Sequence, residues 1–124
     1  MTYLIQHREI LQKDLYIKKQ LVVENSLTPW VPKSDVKIKS IVCELNDTPL
    51  GSGSSIIRIW NNRGESGQQI IFDASFSANE SSKSTATNFS HSIDANDKIT
   101  YSVTQIAGTD AGGHAIISFL YENV

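Results

Sequence analysis

Cysteine is almost absent. A single Cys43 in 124 residues cannot make an internal disulfide, so stability has to come from packing, within the chain or against neighbouring chains. An excess of positive charge is also lacking: 11 Lys and Arg stand against 13 Asp and Glu, with a net charge of −2 and a pI near 5.8. Nothing is left over to neutralise a phosphate backbone by counterion release, and no nucleic-acid partner is expected. Long hydrophobic runs are missing too. None approaches the roughly 18 residues of a membrane span, and Met1 is not followed by a basic segment and an apolar secretory core. The expectation is a soluble chain that starts at Met1, with no membrane partner.

The residues that carry chemistry are equally sparse. His7, His91 and His114 are scattered and never take the close spacing of a zinc site, and no C-x-x-C is present. Cys43 sits inside an apolar stretch, where a free thiol behaves as a small hydrophobe and not as a nucleophile. No G-x-S-x-G occurs, and Gly51-Ser52-Gly53-Ser54 follows a turn signal between strand-like segments, which reads as a loop. Asp94, Asn96 and Asp97 form an oxygen-rich turn that suits Ca²⁺ only if Asp110 or Asp73 joins it. Asx side chains bonding their own backbone account for the same pattern. No catalytic residue, cofactor or metal ligand is assigned, and the chain is expected not to be an enzyme.

What is present argues for a folded domain. Hydrophobic residues make up 40% and charged residues 19%, too apolar and too weakly charged for a disordered tail. The length suits one domain burying roughly two-thirds of its unfolded surface. From Val36 onward, apolar and polar residues alternate between turn signals. Val36 and Ile38 share a face, but Ile41, Cys43 and Leu45 follow in the opposite phase, which points to a bulge near Lys39 and Ser40 or to burial on both faces. Ile57 and Ile59 alternate with Ile56, Arg58 and Trp60. Ile99, Tyr101 and Val103 alternate with Thr100, Ser102 and Thr104, and after a Gly-rich turn Ala115, Ile117, Phe119 and Tyr121 alternate with Ile116, Ser118 and Leu120. The Ser-rich stretch from Ala74 to Ser92 reads as an edge strand, a long loop and a return strand. Seven or eight short strands imply an all-β fold, an antiparallel, jelly-roll-like β-sandwich.

Two units are read in the chain: an N-terminal arm over 1–13 and the sandwich over 14–124. Leu4, Leu11 and Leu15 have helix-compatible offsets, while Leu15 to Val23 is rich in β-branched and aromatic residues. The expectation is an irregular or short helical arm to Lys13, then a strand. Leu4, Ile5, Ile10 and Leu11 are more apolar surface than a free arm should expose, and they are the candidate contacts to a neighbouring subunit or partner. Trp30, held between Pro29 and Pro32, is read as closing one end of the core, with presentation to a partner or sugar as the alternative; Trp60, on a strand, is either core or a contact surface, and both are the candidate stacking residues for a ligand.

The order of these features resembles small β-sandwich domains in structural proteins of tailed bacteriophages. The likeness rests on Leu27-Thr28-Pro29-Trp30-Val31-Pro32, Thr48-Pro49-Leu50-Gly51, the strand Ile56 to Trp60 with Asn61-Asn62, and the ending Asp97 to Thr109 with Gly112-Gly113-His114-Ala115-Ile116-Ile117. It spans Leu15 to Val124, with Asn96 where glycine is usual and Ala107 preceding Gly108. The resemblance implies a virion component made in the host cytoplasm: a fibre, a tail or collar accessory, or a head decoration protein. Its partners would be copies of itself and other virion proteins. A receptor- or glycan-binding module that takes a host glycan is the alternative.

Overall fold

The computed structural model describes residues 9–26 and 28–124. Nine strands follow in chain order: β1 (Leu11–Gln20), β2 (Glu24–Asn25), β3 (Val36–Asp47), β4 (Ser55–Asn61), β5 (Gln69–Phe76), β6 (Ser82–Ser84), β7 (His91–Ile93), β8 (Ile99–Gln105) and β9 (Gly113–Asn123). There is no helix among the described residues. One sheet has the order β1-β9-β3-β6, with β7 also on β3; the other has the order β2-β8-β4-β5. Each of these pairs is antiparallel.

The pairing is nested. β1 meets β9, β2 meets β8, β3 meets β6 and β7, and β4 meets β5, so the chain behaves as one long hairpin folded over into two layers. That is the jelly-roll form of the β-sandwich. β6 and β7 occupy successive stretches of β3, opposite Val42–Glu44 and Val36–Ile38. They are two halves of one strand, interrupted by the segment between Ser84 and His91, where the Thr85 hydroxyl, and not a backbone carbonyl, accepts from the Ile41 amide at 3.1 Å. This split and the two-residue β2 raise the count to nine from the seven or eight expected.

Alternation puts one face of each sheet inside. Ile17, Ile38, Ile41, Cys43, Ile117 and Phe119 from the first sheet meet Ile57, Ile59, Phe76, Ile99 and Val103 from the second. Each such side chain stabilises the fold by about 1.5–3 kcal/mol relative to exposure. The phase change in β3 is a bulge: its register against β9 shifts between Ile38 and Ser40, so that Val36 and Ile38 before the shift and Ile41, Cys43 and Leu45 after it all point inward.

The start of the sandwich differs from expectation. Leu11–Lys13 belong to β1, which pairs with β9 from Leu11↔Tyr121 onward, and the strand ends at Gln20 and not at Val23. Leu11 and Leu15, four apart, suit a strand as well as a helix, and the waiting edge of β9 decides between them. β5 takes in Ala74 and Phe76 at the start of the Ser-rich stretch, because both face the core.

At one end the loops are tied together. The Ser55 hydroxyl donates to the Ala111 carbonyl at 2.6 Å and accepts from the Ala107 amide at 3.0 Å, both buried. Leu50 and Asp110 exchange backbone bonds, and Gly112 has φ +77° with the Asp47 carbonyl only 2.7 Å from where a Cβ would sit. A side chain at Gly112 is excluded on both counts.

Candidate functional site

The two edges on one side of the sandwich are β1 and β2. On the opposite side β5 runs through a short turn into β6 and packs against it, with Glu80 N–H bonded to the Ser77 carbonyl and the Ser77 N–H bonded to the Glu80 carboxylate. On the β1/β2 side the tie is the Lys19–Glu24 ion pair at 2.9 Å, near the end of β1, and no described residue other than those of β9 pairs with the backbone from Leu11 to Ile17. Seven residues of β1, Leu11 to Ile17, keep an unbroken register with β9. Every second N–H and C=O along that run therefore points away from the sheet.

The second sheet reaches this side through a broken edge. Glu24 and Asn25 pair with Val103 and Ser102, the Ser26 amide donates to the Tyr101 carbonyl, and Trp30 and Ile99 exchange backbone bonds of 2.9 and 2.8 Å. Thr28 and Pro29 lie off the ladder between these contacts. Proline lacks the donor that a ladder residue needs, so the ladder does not run unbroken through this position. The two edges stand apart there, leaving two hollows of about 280 Å³ each along β1. Leu15, Pro29 and Tyr101 line one; Leu11, Trp30 and Tyr121 line the other. Burial raises the Tyr101 phenol above its ordinary pKa, with the Glu24 charge adding to the shift and Lys19 opposing it. The cleft is amphipathic: Lys13 and Lys33 edge it, and the floor is aromatic and aliphatic.

The candidate contact residues fall at its entrance. Ile10 is 52% exposed, and Leu11 lines the second hollow. Leu4 and Ile5 lie outside the described residues, as does His7. Trp30 does close the core, with ring centroids 5.3 Å from Phe119 and 5.0 Å from Tyr121, while its remaining surface faces the cleft. Trp60 is elsewhere, on the outer face of the second sheet. Its indole N–H donates to Ser102 Oγ at 3.0 Å, and that hydroxyl donates to Asn25 at 2.6 Å. The Arg58 guanidinium, held by two bonds to Asp73, sits 5.7 Å from the Trp60 ring. A cation already occupies part of the ring that a sugar would stack on. The structure does not bring Trp30 and Trp60 together.

The remaining polar groups are engaged in structure. Partial burial works to raise Asp97, but bonds from Asn62, Asn61 and the Asp94 amide outweigh it and hold the carboxylate below its usual range. Asp110 accepts from the Gly112 amide. His114, at φ +53°, has Nδ1 2.6 Å from an Asp47 carboxylate oxygen. Burial pushes the Cys43 thiol up to about 12, which leaves it protonated and inert. Among the described residues no three His, Cys, Asp or Glu side chains converge as a metal site would require, and no helix is long and apolar enough to cross a membrane.

Sequence reasoning points to the arm and the tryptophans but misses Leu15 and Pro29 as walls of a cleft. The available signal is Pro29 beside Trp30, which marks where an edge leaves its ladder.

No protein-family model matches the chain, and no curated protein does. A solved structure described as "Bacillus endospore appendages form a novel family of disulfide-linked pili" is similar over 100% of this chain and 96% of that one, with a TM-score of 0.47 and 13% identity.

Proposed function

We propose that this chain is a non-enzymatic structural subunit that works by joining copies of itself and other proteins through the β1 edge and the apolar residues before it. The observation that carries the reading is the run Leu11 to Ile17, paired with β9 on one side and with no other strand among the described residues, a regular edge with an exposed Ile10 at its start and a partly apolar cleft beside it. Native sheets normally blunt or cover such edges, because unpaired backbone groups recruit another strand. Lys13, Lys18 and Lys19 on β1 limit that recruitment to a partner whose charges suit them.

The setting we propose is the particle of a tailed bacteriophage, as a fibre domain, a tail or collar accessory, or a head decoration protein. Its support is the strand and turn order from Leu15 to Val124. The alternative, a receptor- or glycan-binding module, has Trp30 partly engaged in the core and Trp60 apart from it on an outer face with Arg58 leaning on it, and is the weaker reading.

Light scattering on the full chain tests the assembly. The expected mass is a multiple of 13.7 kDa, returning to 13.7 kDa in the double variant Leu4→Asp, Ile5→Asp. A full chain that stays at 13.7 kDa at every concentration rejects the reading. Mass spectrometry of density-purified phage particles tests the setting separately, and failure to recover the chain there removes the virion role alone.

A further inference from the structure

We infer that the cleft between β1 and the broken edge at Ser26–Ser34 is a socket for Tyr3-Leu4-Ile5 of a second copy of this chain. The inference rests on the assembly reading above and specifies where the contact is made.

Three observations converge. First, the shape suits an extended segment. The two hollows follow one another along β1, one beside Leu11 and the other beside Lys13 to Tyr16. That stretch is six residues, roughly 20 Å of extended chain, and the eight residues ahead of Glu9 are ample to fill it. Second, the chemistry suits it. The floor offers Leu15, Trp30, Tyr101 and Tyr121, all half-buried against the core, while β1 supplies along one wall backbone donors and acceptors that pair with no strand among the described residues. An inserted strand would complete the backbone bonding of β1 and bury its own apolar side chains on that floor, as strand addition to a sheet edge does. Tyr3-Leu4-Ile5 is the apolar triplet ahead of β1.

Third, the occupant is a neighbour's segment. To enter its own cleft, the chain would have to reverse sharply between Gln6 and Ile10 and run back along β1. No Gly, Pro, Asn or Asp occurs before Asp14, so the residues that make tight reversals are missing there. Continuing away from β1 carries the triplet to another copy. A head-to-tail contact of this kind leaves one free segment and one free cleft at the ends of any open assembly, so it propagates as a chain or closes as a ring.

Cysteine pairing on the full chain tests this. Cys43 is buried with its thiol protonated, so it stays out of the reaction. Isotopically heavy Leu4→Cys is mixed with light Thr28→Cys, Thr28 being an exposed residue of the cleft, and the mixture is oxidised. A parallel mixture replaces Thr28→Cys by Ser52→Cys, exposed in the tied loops. The expected result is a covalent heavy–light dimer from the first mixture, roughly tenfold or more above the second, because docking raises the effective concentration of the two thiols. The doubly substituted chain Leu4→Cys, Thr28→Cys should give linked oligomers. Closure within single chains would overturn the inference in favour of self-occupancy. Equal yields from the two mixtures, with light scattering still showing an oligomer, would overturn the socket and leave the assembly reading standing. A monomer by scattering removes both.

Discussion

At the scale of single residues, His91 shows how a modest side chain reports on its surroundings. It sits on β7 against β3, its ring stacks on Phe89 at 6.5 Å, and its Nε2 is buried without a hydrogen-bond partner among the described residues. Burial disfavours the imidazolium and lowers the pKa below the ordinary 6.5. Because the unfolded chain then takes up a proton at a higher pH than the folded one, stability is complete above pH 6.5 and is lost as pH falls from there towards the folded value. Urea midpoints should therefore decline between pH 7 and pH 5 in the wild type and less in His91→Phe, which keeps a ring but cannot titrate. Coincident slopes would refute this. The carboxylates held low, Asp14 and Asp97 among them, act in a separate window below about 3.8.

Residue-level legibility is uneven for a physical reason. Cys43 can be recognised as buried from its apolar neighbours alone. Ser55 cannot: its two buried bonds go to Ala107 and Ala111, more than fifty residues away, and no local pattern announces them. Trp30 is open to both a core and a surface reading, and it takes part in both, since Phe119 and Tyr121 cover one side of it and the cleft lies on the other.

Among the elements, β9 is the strand on which the first sheet depends, flanked by β1 and β3 over nearly its whole length. Its alternation makes neighbouring residues unequal. Phe119 is fully buried, whereas Ile116 is 41% exposed on the outer face. Phe119→Ala should cost about 3–5 kcal/mol by urea denaturation, through lost burial and the cavity left behind. Ile116→Ala should cost under about 1 kcal/mol, as substitutions away from the core usually do. Similar losses at both positions would contradict the assigned faces.

Elements with an unambiguous period are legible in the amino-acid order: β4, β8, β9 and the phase change in β3. The start of β1 is not, because the offset of four between Leu11 and Leu15 fits a strand and a helix alike, and only pairing with β9 separates the two. The Ser-rich return is legible as a strand, a loop and a strand, but its division into β6 and β7 depends on how much of β3 each half can reach.

For the whole molecule, the pairing of β1 with β9 joins the two ends of the described chain, so the first sheet is complete only when residues about a hundred positions apart meet. An edge strand held this way gains from anything that docks on it. If assembly proceeds through β1, binding of a neighbour to the folded state adds to stability by mass action. The melting temperature should then rise with protein concentration in the full chain and be independent of concentration in the double variant Leu4→Asp, Ile5→Asp. A concentration-independent melting temperature in both would argue against assembly through this side.

The amino-acid sequence alone determined the class of fold, because period-2 alternation between turn residues encodes which face of each strand is buried. It also determined that the arm is apolar. The tertiary structure alone decided which strands are edges, that Pro29 holds one of them off its ladder, and that the resulting cleft opens beside the place where the arm leaves. Strand neighbours and edges arise from contacts between distant segments, and such contacts leave no local period to read.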